Sequence, residues 1–449
     1  HYRPPKSAWH RATKTIGKLL LAVVKTILRI GTTLGQHVGK ITHAMRKKEK
    51  RKQEINSTKQ KIDHTAQQLL RRFNRLPTKS KYLLISAIAV IFIFGLSITI
   101  LSRSKARNEW VQAYVEQVEE TEKMIDEAAG AIIYKDEDKA HELYAEASKL
   151  VSALPEDTSE RLEKIKELRS QIQSGIDELR HIVHIPEPPL VGSLFEHGEN
   201  VFGRSLFATT DDVYLLASNK QLYKAGDKQL EFVASTVGSI GIPVSASTYN
   251  DDVYFLDDRP GISSVDLETS TIEVTSLSPE QNTVWADMYV YANKVYVLEP
   301  AGGGSEGQIL RFNKVSGGFS NGTNWIQSKT TDLTNAVSLT IDGTVFVLKA
   351  NGEIARFVSG SEVGWDISDV DPAITNATDI WTDSESSWVY VLEPALQRLL
   401  VFEKTSGNFY VQYRSNKFTQ LTDFLVDEEE KRIYFLSGQN LFAITPEHL

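Results

Sequence analysis

A short apolar phrase recurs six times in the C-terminal part of this 449-residue chain. It surrounds one aromatic residue with Val, Ile and Leu, as in DDVYLLAS, NKVYVLEP and KRIYFLSG. The aromatics are Tyr214, Tyr254, Tyr296, Phe346, Tyr390 and Tyr434, at intervals of 40, 42, 50, 44 and 44 residues. Repeats of this length, built from short strands separated by turns, are typical of propeller blades. We therefore predict an all-β, six-bladed β-propeller over residues 190–449, with four strands in each blade.

Charge divides the rest of the chain. Residues 1–81 contain 21 Lys and Arg against three acids, whereas residues 103–449 contain 29 against 55 acids. Between them, residues 82–102 carry no charge in 21 positions. About 20 apolar residues are enough for a helix to cross a bilayer. We predict a single transmembrane helix at 82–102, with lipid contacts from Tyr82, Leu83, Phe92, Phe94 and Leu101.

The excess of Lys and Arg before this helix predicts its orientation in the plasma membrane, with residues 1–81 in the cytoplasm and residues 103–449 outside. In this basic juxtamembrane region, one helical face carries the cations Lys14, Lys18, Lys25, Arg29 and Lys40. Such a basic amphipathic helix favours an anionic lipid surface. The alternatives are that this helix packs on an upstream domain or that it crosses the membrane as a second span. Because the sequence begins at His1, we expect further sequence upstream.

Residues 103–184 are predicted to form an α-helical stalk of three helices. The second runs from about Glu137 to Ala153, and Asp157 to Ser159 offer N-caps for the third. The third helix has a coiled-coil-like seam of Leu162, Ile165, Leu168, Ile172, Ile176, Leu179 and Val183. These helices fold on one another as a bundle, or the third pairs with a second copy as a dimer. A Pro-rich linker, residues 185–189, follows.

The repeat resembles NHL-type six-bladed propellers most closely in the stretch VYVLEPALQRLLVFEKTSGNF. There a strand end with an acid is followed by Arg, a hydrophobic strand, Phe and Gly, which are Glu393, Arg398, Val401, Phe402 and Gly407. A second match, VYVLEPAGGGSEGQILRFNKVSGGF, contains Glu299, Arg311 and Phe312. The resemblance implies the fold and leaves the function open, because propellers serve both binding and catalysis.

The composition limits the chemistry that the propeller can perform. The chain has no cysteine, and histidine is absent from residues 198–447. This excludes thiolate metal sites, and it excludes a His-based triad or a His-ligated metal within the propeller. Propeller hydrolases of the lactonase type hold a central Ca²⁺, and Asp257, Glu299 and Glu393 end equivalent strands where oxygen ligands could gather. The alternative is that these acids accept hydrogen bonds from turn amides.

The whole layout resembles bacterial membrane receptor kinases and phosphatases with an external propeller, although no catalytic motif is visible in this chain. We predict a single-pass membrane protein whose external propeller binds a protein or small-molecule ligand, as the sensor or scaffold of a longer signalling protein. A membrane-tethered, Ca²⁺-dependent hydrolase is the second hypothesis. The acidic propeller is not expected to bind nucleic acid.

Overall fold

The structure is a computed structural model. It describes residues 77–449 apart from gaps at 236–240, 250–251, 259–260, 268, 270, 277–283, 302–305, 317 and 328–330. The predicted basic amphipathic helix, with Lys14, Lys18, Lys25, Arg29 and Lys40, therefore lies outside the described residues. The chain divides into two compact units, His1–Glu116 and Gln117–Leu449. Each unit is described by itself.

The first described element is a long helix, α1, which spans Thr78–Ile133 and begins in the first unit. It includes the predicted transmembrane segment. The side chains of Tyr82, Leu83, Phe92 and Phe94 are exposed, and that of Leu101 lies outside what the structure describes. Within the described residues, no helix is long and apolar enough to cross a membrane. The predicted span is thus not confirmed.

Two more helices lie in the second unit, and the sequence predicts both ends of the first and the beginning of the second. Helix α2 spans Glu137–Ala153, and the Asp136 carboxylate caps it by accepting a hydrogen bond from the Lys139 amide. Helix α3 spans Ser159–Leu179, and the Thr158 hydroxyl accepts from the Arg161 amide.

The predicted seam of α3 packs against α2 of the same chain. Ile165, Leu168 and Ile172 are buried in α3, and Tyr144 is buried in α2. Gly175 allows the close approach of the two helices, because a Cβ there would overlap the Tyr144 ring. The seam is thus used within one chain, and the predicted dimer through it gains no support.

Six small sheets follow the helices, and all their strands are antiparallel apart from one added strand in blade 5. The strands of each sheet are given from its first strand in the repeat. Blade 1 contains β3 (Gly203–Ala208), β4 (Val213–Ala217), β5 (Gln221–Ala225) and β6 (Leu230–Ser235). Blade 2 contains β7 (Pro243–Tyr249), β8 (Asp252–Asp257), β9 (Gly261–Asp266) and β10 (Thr271–Ser276). Blade 3 contains β11 (Asp287–Tyr291), β12 (Lys294–Glu299), β13 (Gln308–Val315), β14 (Gly318–Phe319) and β15 (Thr323–Asn324).

Of the remaining blades, the last two each include a strand from the segment before the propeller repeat. Blade 4 is regular, with β16 (Ala336–Ile341), β17 (Val345–Lys349), β18 (Ile354–Val358) and β19 (Ser361–Val363). Blade 5 contains β20 (Asp379–Trp381), β21 (Trp388–Glu393), β22 (Arg398–Glu403), β23 (Phe409–Arg414) and the added β1 (Ile182–His184). Blade 6 contains β24 (Leu421–Asp427), β25 (Arg432–Ser437), β26 (Asn440–Ile444) and, as its fourth strand, β2 (Leu190–Ser193).

The first strands of the six blades contact one another in a closed circle, β3 to β7, β11, β16, β20, β24 and back to β3. This confirms the predicted six-bladed propeller. Strand β2, which precedes blade 1 in sequence, completes blade 6 and so joins the two ends of the ring.

The hydrophobic core lies between neighbouring blades. Alternate residues of each repeat phrase point to opposite faces of their sheet. In blade 5, Val389 and Val391 pack in the cluster shared with blade 4, whereas Tyr390 and Leu392 pack in the cluster shared with blade 6. Six such clusters each join one blade to the next.

One sequence prediction about the third helix is wrong. Val183 was assigned to its seam, but α3 ends at Leu179 and Val183 lies in β1, parallel to β23. The chain turns at His181, which has a φ of 51°. Backbone hydrogen bonds from Gln412 to His181 and from Ile185 to Arg414 then fix the new direction. Pairing with a sheet edge outweighs the helical period here.

Candidate binding channel

The first strands of all six blades line a channel through the propeller, with a cavity of 190 Å³. One position of each strand forms a ring of three serines and three aspartates, which we call the channel ring. Its members are Ser205, Ser245, Asp287, Ser338, Asp379 and Asp423. Each stands opposite the last Leu of its blade's repeat phrase, so the six positions are equivalent by strand register.

A β-bulge precedes the ring position in four blades. The register shifts at Arg204, Val244, Val337 and Thr422, immediately before the ring residues. Bulges re-aim the side chains that follow them and are frequent next to functional sites. Here the bulged residues lie at the mouth of the channel and also line its cavity.

Ring residues bond to the backbone of the next blade. Asp423 accepts a hydrogen bond from the Leu206 amide at 2.6 Å, and Asp287 accepts from the Leu339 amide at 2.8 Å. Ser205 accepts from the Ala246 amide at 3.1 Å. In each case the donor is the residue directly after the ring residue of the adjacent blade. These hydrogen bonds therefore connect adjacent blades around the channel.

The three carboxyl groups are close enough to influence one another's ionisation. The Ser338 hydroxyl lies 2.7 Å from an oxygen of Asp287 and 2.7 Å from an oxygen of Asp379. Withdrawal from water, and then the charge of Asp379, raise the pKa of Asp287 to about 6. Withdrawal from water and the charge of Asp423 raise the pKa of Asp379 well above its usual value. The ring therefore holds protons at a pH where free aspartate has none.

Beyond the ring, the rest of the cavity is lined by larger side chains from positions opposite the repeat aromatic. They are Phe207, Tyr289, Trp381 and Leu425. Withdrawal from water raises the pKa of Tyr289 to about 12, with a smaller contribution from the charges of Asp383 and Asp342. The channel thus has a polar ring near its mouth and an aromatic lining further in.

The mouth itself is wide and partly apolar. A second cavity of 430 Å³ is lined by Arg204, Ile242, Val244, Asp258 and other residues of the same end. Side chains there are well exposed, with 43% for Ile242 and 38% for Val244. Val284 precedes the first strand of blade 3, as Ile242 precedes that of blade 2, and it is 69% exposed. Apolar side chains of two adjacent blades therefore face water at this end of the propeller.

The three acids predicted as calcium ligands each contact their own blade. Asp257 accepts a hydrogen bond from the Gly241 amide in the loop before β7. Glu299 is half-buried and pairs with Gln308 in the ladder. Glu393 is fully buried, bonded to the Thr375 amide and to Arg398. Within the described residues, no group of three or more His, Cys, Asp or Glu is arranged to hold a metal ion.

The channel ring was not predicted from the sequence. The available signal was a Ser or Asp that recurs in every unit, eight to eleven residues before the repeat aromatic.

No family model and no curated protein matches the sequence. Solved structures with a similar fold include a gluconolactonase from Xanthomonas campestris, with 11% identity, a TM-score of 0.42 and coverage of 57% of this chain and 94% of that chain. YCF48 bound to a D1 peptide has 12% identity, a TM-score of 0.40 and coverage of 58% and 97%. The extracellular domain of a putative one component system, BT4673, from B. thetaiotaomicron has 10% identity, a TM-score of 0.41 and coverage of 58% and 43%. At these values, none of them carries an argument about a ligand or a reaction of this chain.

Proposed function

We propose that the propeller is a binding domain that takes a segment of a protein partner at the channel mouth. The observation that carries this proposal is the exposure of Ile242 and Val244, which line an open cavity, and of Val284, which precedes the first strand of the next blade. Apolar side chains that gather at a concave surface favour an interaction site, since covering them removes apolar area from water. Arg204 and Asp258 at the same mouth offer polar contacts to the partner.

Binding is favoured over catalysis by the state of the polar groups in the channel. Histidine and cysteine are absent from residues 198–447, so neither an imidazole nor a thiol of this segment can act as a nucleophile or a general base. The ring carboxyls of Asp287 and Asp423 already accept hydrogen bonds from backbone amides of the next blade. The calcium-dependent hydrolase stays a prediction from the sequence, and no observation on the described residues favours it.

We also propose that residues 82–102 anchor the chain in the plasma membrane, with the propeller outside. Support comes from the 21 uncharged residues and from the excess of Lys and Arg before them. Along α1, the apolar side chains of Tyr82, Leu83, Phe92 and Phe94 are exposed, as contact with lipid requires.

Photo-crosslinking tests the partner site. A photoreactive amino acid replaces Val284 at the mouth, or Val358, which is 44% exposed at the end of β18, in the full chain expressed in its own cells. We expect a discrete protein adduct from position 284 that is absent from position 358 and is reduced by Arg204→Ala. Equal adducts from both positions, or none from position 284, would contradict the proposal.

Cysteine labelling tests the topology, because the chain has no cysteine of its own. Single variants Ser361→Cys and Ser7→Cys are treated with a membrane-impermeant maleimide in intact and in lysed cells. Labelling of Ser361→Cys in intact cells, and of Ser7→Cys only after lysis, is expected. Any other pattern rejects the proposed orientation.

A further inference from the structure

Blade 5 contains a buried ion pair that reaches toward the channel. Glu393 and Arg398 are both fully buried, and the Glu393 Oε2 atom lies 2.7 Å from Arg398 Nε and 2.6 Å from Nη2. The other oxygen of Glu393 accepts hydrogen bonds from the amides of Thr375 and Asn376. Only Ala377 separates these two residues from Thr378 and Asp379 of the channel lining in the chain. Glu393 therefore fixes the segment that leads into the channel.

The same arginine reaches in the opposite direction, toward the outer edge of the blade. Arg398 Nη1 donates to the side-chain oxygen of Gln412 at 2.9 Å, and Nη2 donates to the Pro372 carbonyl at 2.7 Å. Because Gln412 is also fully buried, this contact is shielded from water.

Gln412 in turn holds the end of helix α3. Its side-chain amide donates to the Arg180 carbonyl at 2.9 Å, and its backbone amide donates to the His181 carbonyl. The Arg180 guanidinium pairs with Asp371, 2.6 Å away. A continuous series of hydrogen bonds thus runs from the loop that leads into the channel, through Glu393, Arg398 and Gln412, to the C-cap of α3.

This series occurs where the helices join the propeller. Blade 5 is the blade that receives β1, the strand that follows α3. Among the described residues, the ion pairs of the other blades are at least partly exposed. The buried pair and the docked helical segment therefore meet in one blade.

We propose that Glu393, Arg398 and Gln412 form a relay that couples the state of the channel to the end of helix α3. The inference rests on the proposed binding function, because it assigns to the propeller a way to report a bound partner. Buried hydrogen-bonded groups move together, since separating one of them leaves its partner unsatisfied in a low-dielectric interior. A displacement of the Thr378–Asp379 segment is thereby passed to β1 and to Arg180.

Hydrogen exchange on the purified full chain tests the relay without any ligand. Asp379→Asn perturbs the channel, and the measured quantity is the exchange rate of the peptide covering residues 180–185. We expect Asp379→Asn to raise this rate at least about fivefold in the otherwise unchanged chain. In a Gln412→Ala background, the same substitution should change the rate by less than about twofold, because the relay is broken.

Gln439→Ala is the matched control, since Gln439 also donates its side-chain amide to backbone carbonyls, those of Gly198 and Val201, but in blade 6. The fivefold effect should persist in that background. An equal effect in the Gln412→Ala background, or no effect in the unchanged chain, overturns the relay. If Asp379→Asn also accelerates exchange in β8, and so disturbs the whole propeller, Thr378→Trp at the exposed mouth replaces it as the perturbation.

The outcome is independent of the crosslinking result at Val284. Loss of coupling with an intact partner adduct rejects the relay alone, whereas coupling without an adduct rejects the binding proposal alone.

Discussion

Replacing Arg398 by Met tests the energetics of blade 5. The substitution keeps an unbranched apolar stem but removes the guanidinium, which makes hydrogen bonds to Glu393, Gln412 and the Pro372 carbonyl. Glu393 then remains fully buried without its counter-ion. Breaking a buried ion pair by removing one partner costs about 3–5 kcal/mol, mostly because an uncompensated charge is left behind. We expect Arg398→Met to lower the free energy of unfolding by about 4 kcal/mol.

The double variant Arg398→Met with Glu393→Leu separates this cost from simple loss of packing. It removes both charges, and the freed amides of Thr375 and Asn376 belong to exposed residues that can bind water. Buried ion pairs replaced by apolar residues are often neutral for stability. The double variant should therefore recover at least about 2 kcal/mol relative to Arg398→Met.

The assay is urea unfolding, followed by tryptophan fluorescence and by circular dichroism, and interpreted where the two transitions coincide. Trp381 and Trp388 pack against the core between blades 5 and 6, in the same blade as the substituted pair. A loss below about 1 kcal/mol for Arg398→Met, or a double variant as unstable as the single one, would refute the reasoning that a stranded carboxylate dominates.

Three further predictions concern other parts of the propeller. Because the pKa of Asp287 is raised to about 6, its contribution to stability is fully present below about pH 4 and is lost as the pH rises through 6. Asp287→Asn should therefore flatten the pH dependence of urea midpoints between pH 4 and 7, and an unchanged slope would contradict this. Burial lowers the pKa of His448 to about 4, and its ring nitrogens lie 2.9 and 2.8 Å from the Tyr390 and Tyr413 hydroxyls. Its NMR signals should thus show a neutral ring at pH 6, and a midpoint near 6.5 would reject this environment. Gly407 has a φ of 74°, and a Cβ there would overlap the Asp366 carbonyl. Gly407→Ala should cost more than about 1 kcal/mol in urea unfolding, whereas Gly364→Ala, with open space around it, should cost less. Equal losses would contradict the steric argument.

The propeller could be predicted from the sequence because the residue types within each strand already indicate that the strand is buried. Each repeat phrase has both faces buried between blades, which requires Val, Leu or an aromatic residue at nearly every position. Residues such as Val389 and Tyr390 therefore identify a strand without knowledge of its neighbours. The N-cap of α3 was likewise predicted among Asp157 to Ser159, since Thr158 bonds to an amide only three residues away.

The contacts that define the site are not local, and the sequence could not show them. Glu393 was considered as a metal ligand because it ends a strand, but its partners are a guanidinium across the hairpin and two amides of the preceding loop. Asp423 bonds to Leu206, more than 200 residues away, across the closure of the ring. Val183 lies outside the helix because it pairs with β23, a strand of blade 5 that comes much later in the chain.

The three aspartates of the channel ring bear on the function of the propeller. Ser205 and Asp423 have the same structural task in adjacent blades, since each accepts a hydrogen bond from the amide that follows the next ring residue. A hydroxyl is thus sufficient to tie one blade to another, and the closure of the propeller does not require carboxyl groups. Yet three of the six positions have a carboxyl group. Withdrawal from water disfavours the charged form of these groups, as the raised pKa values of Asp287 and Asp379 show. Because closure does not account for these acids, the binding function proposed above gives them a role: a partner segment that enters from the mouth beside Arg204 would meet them.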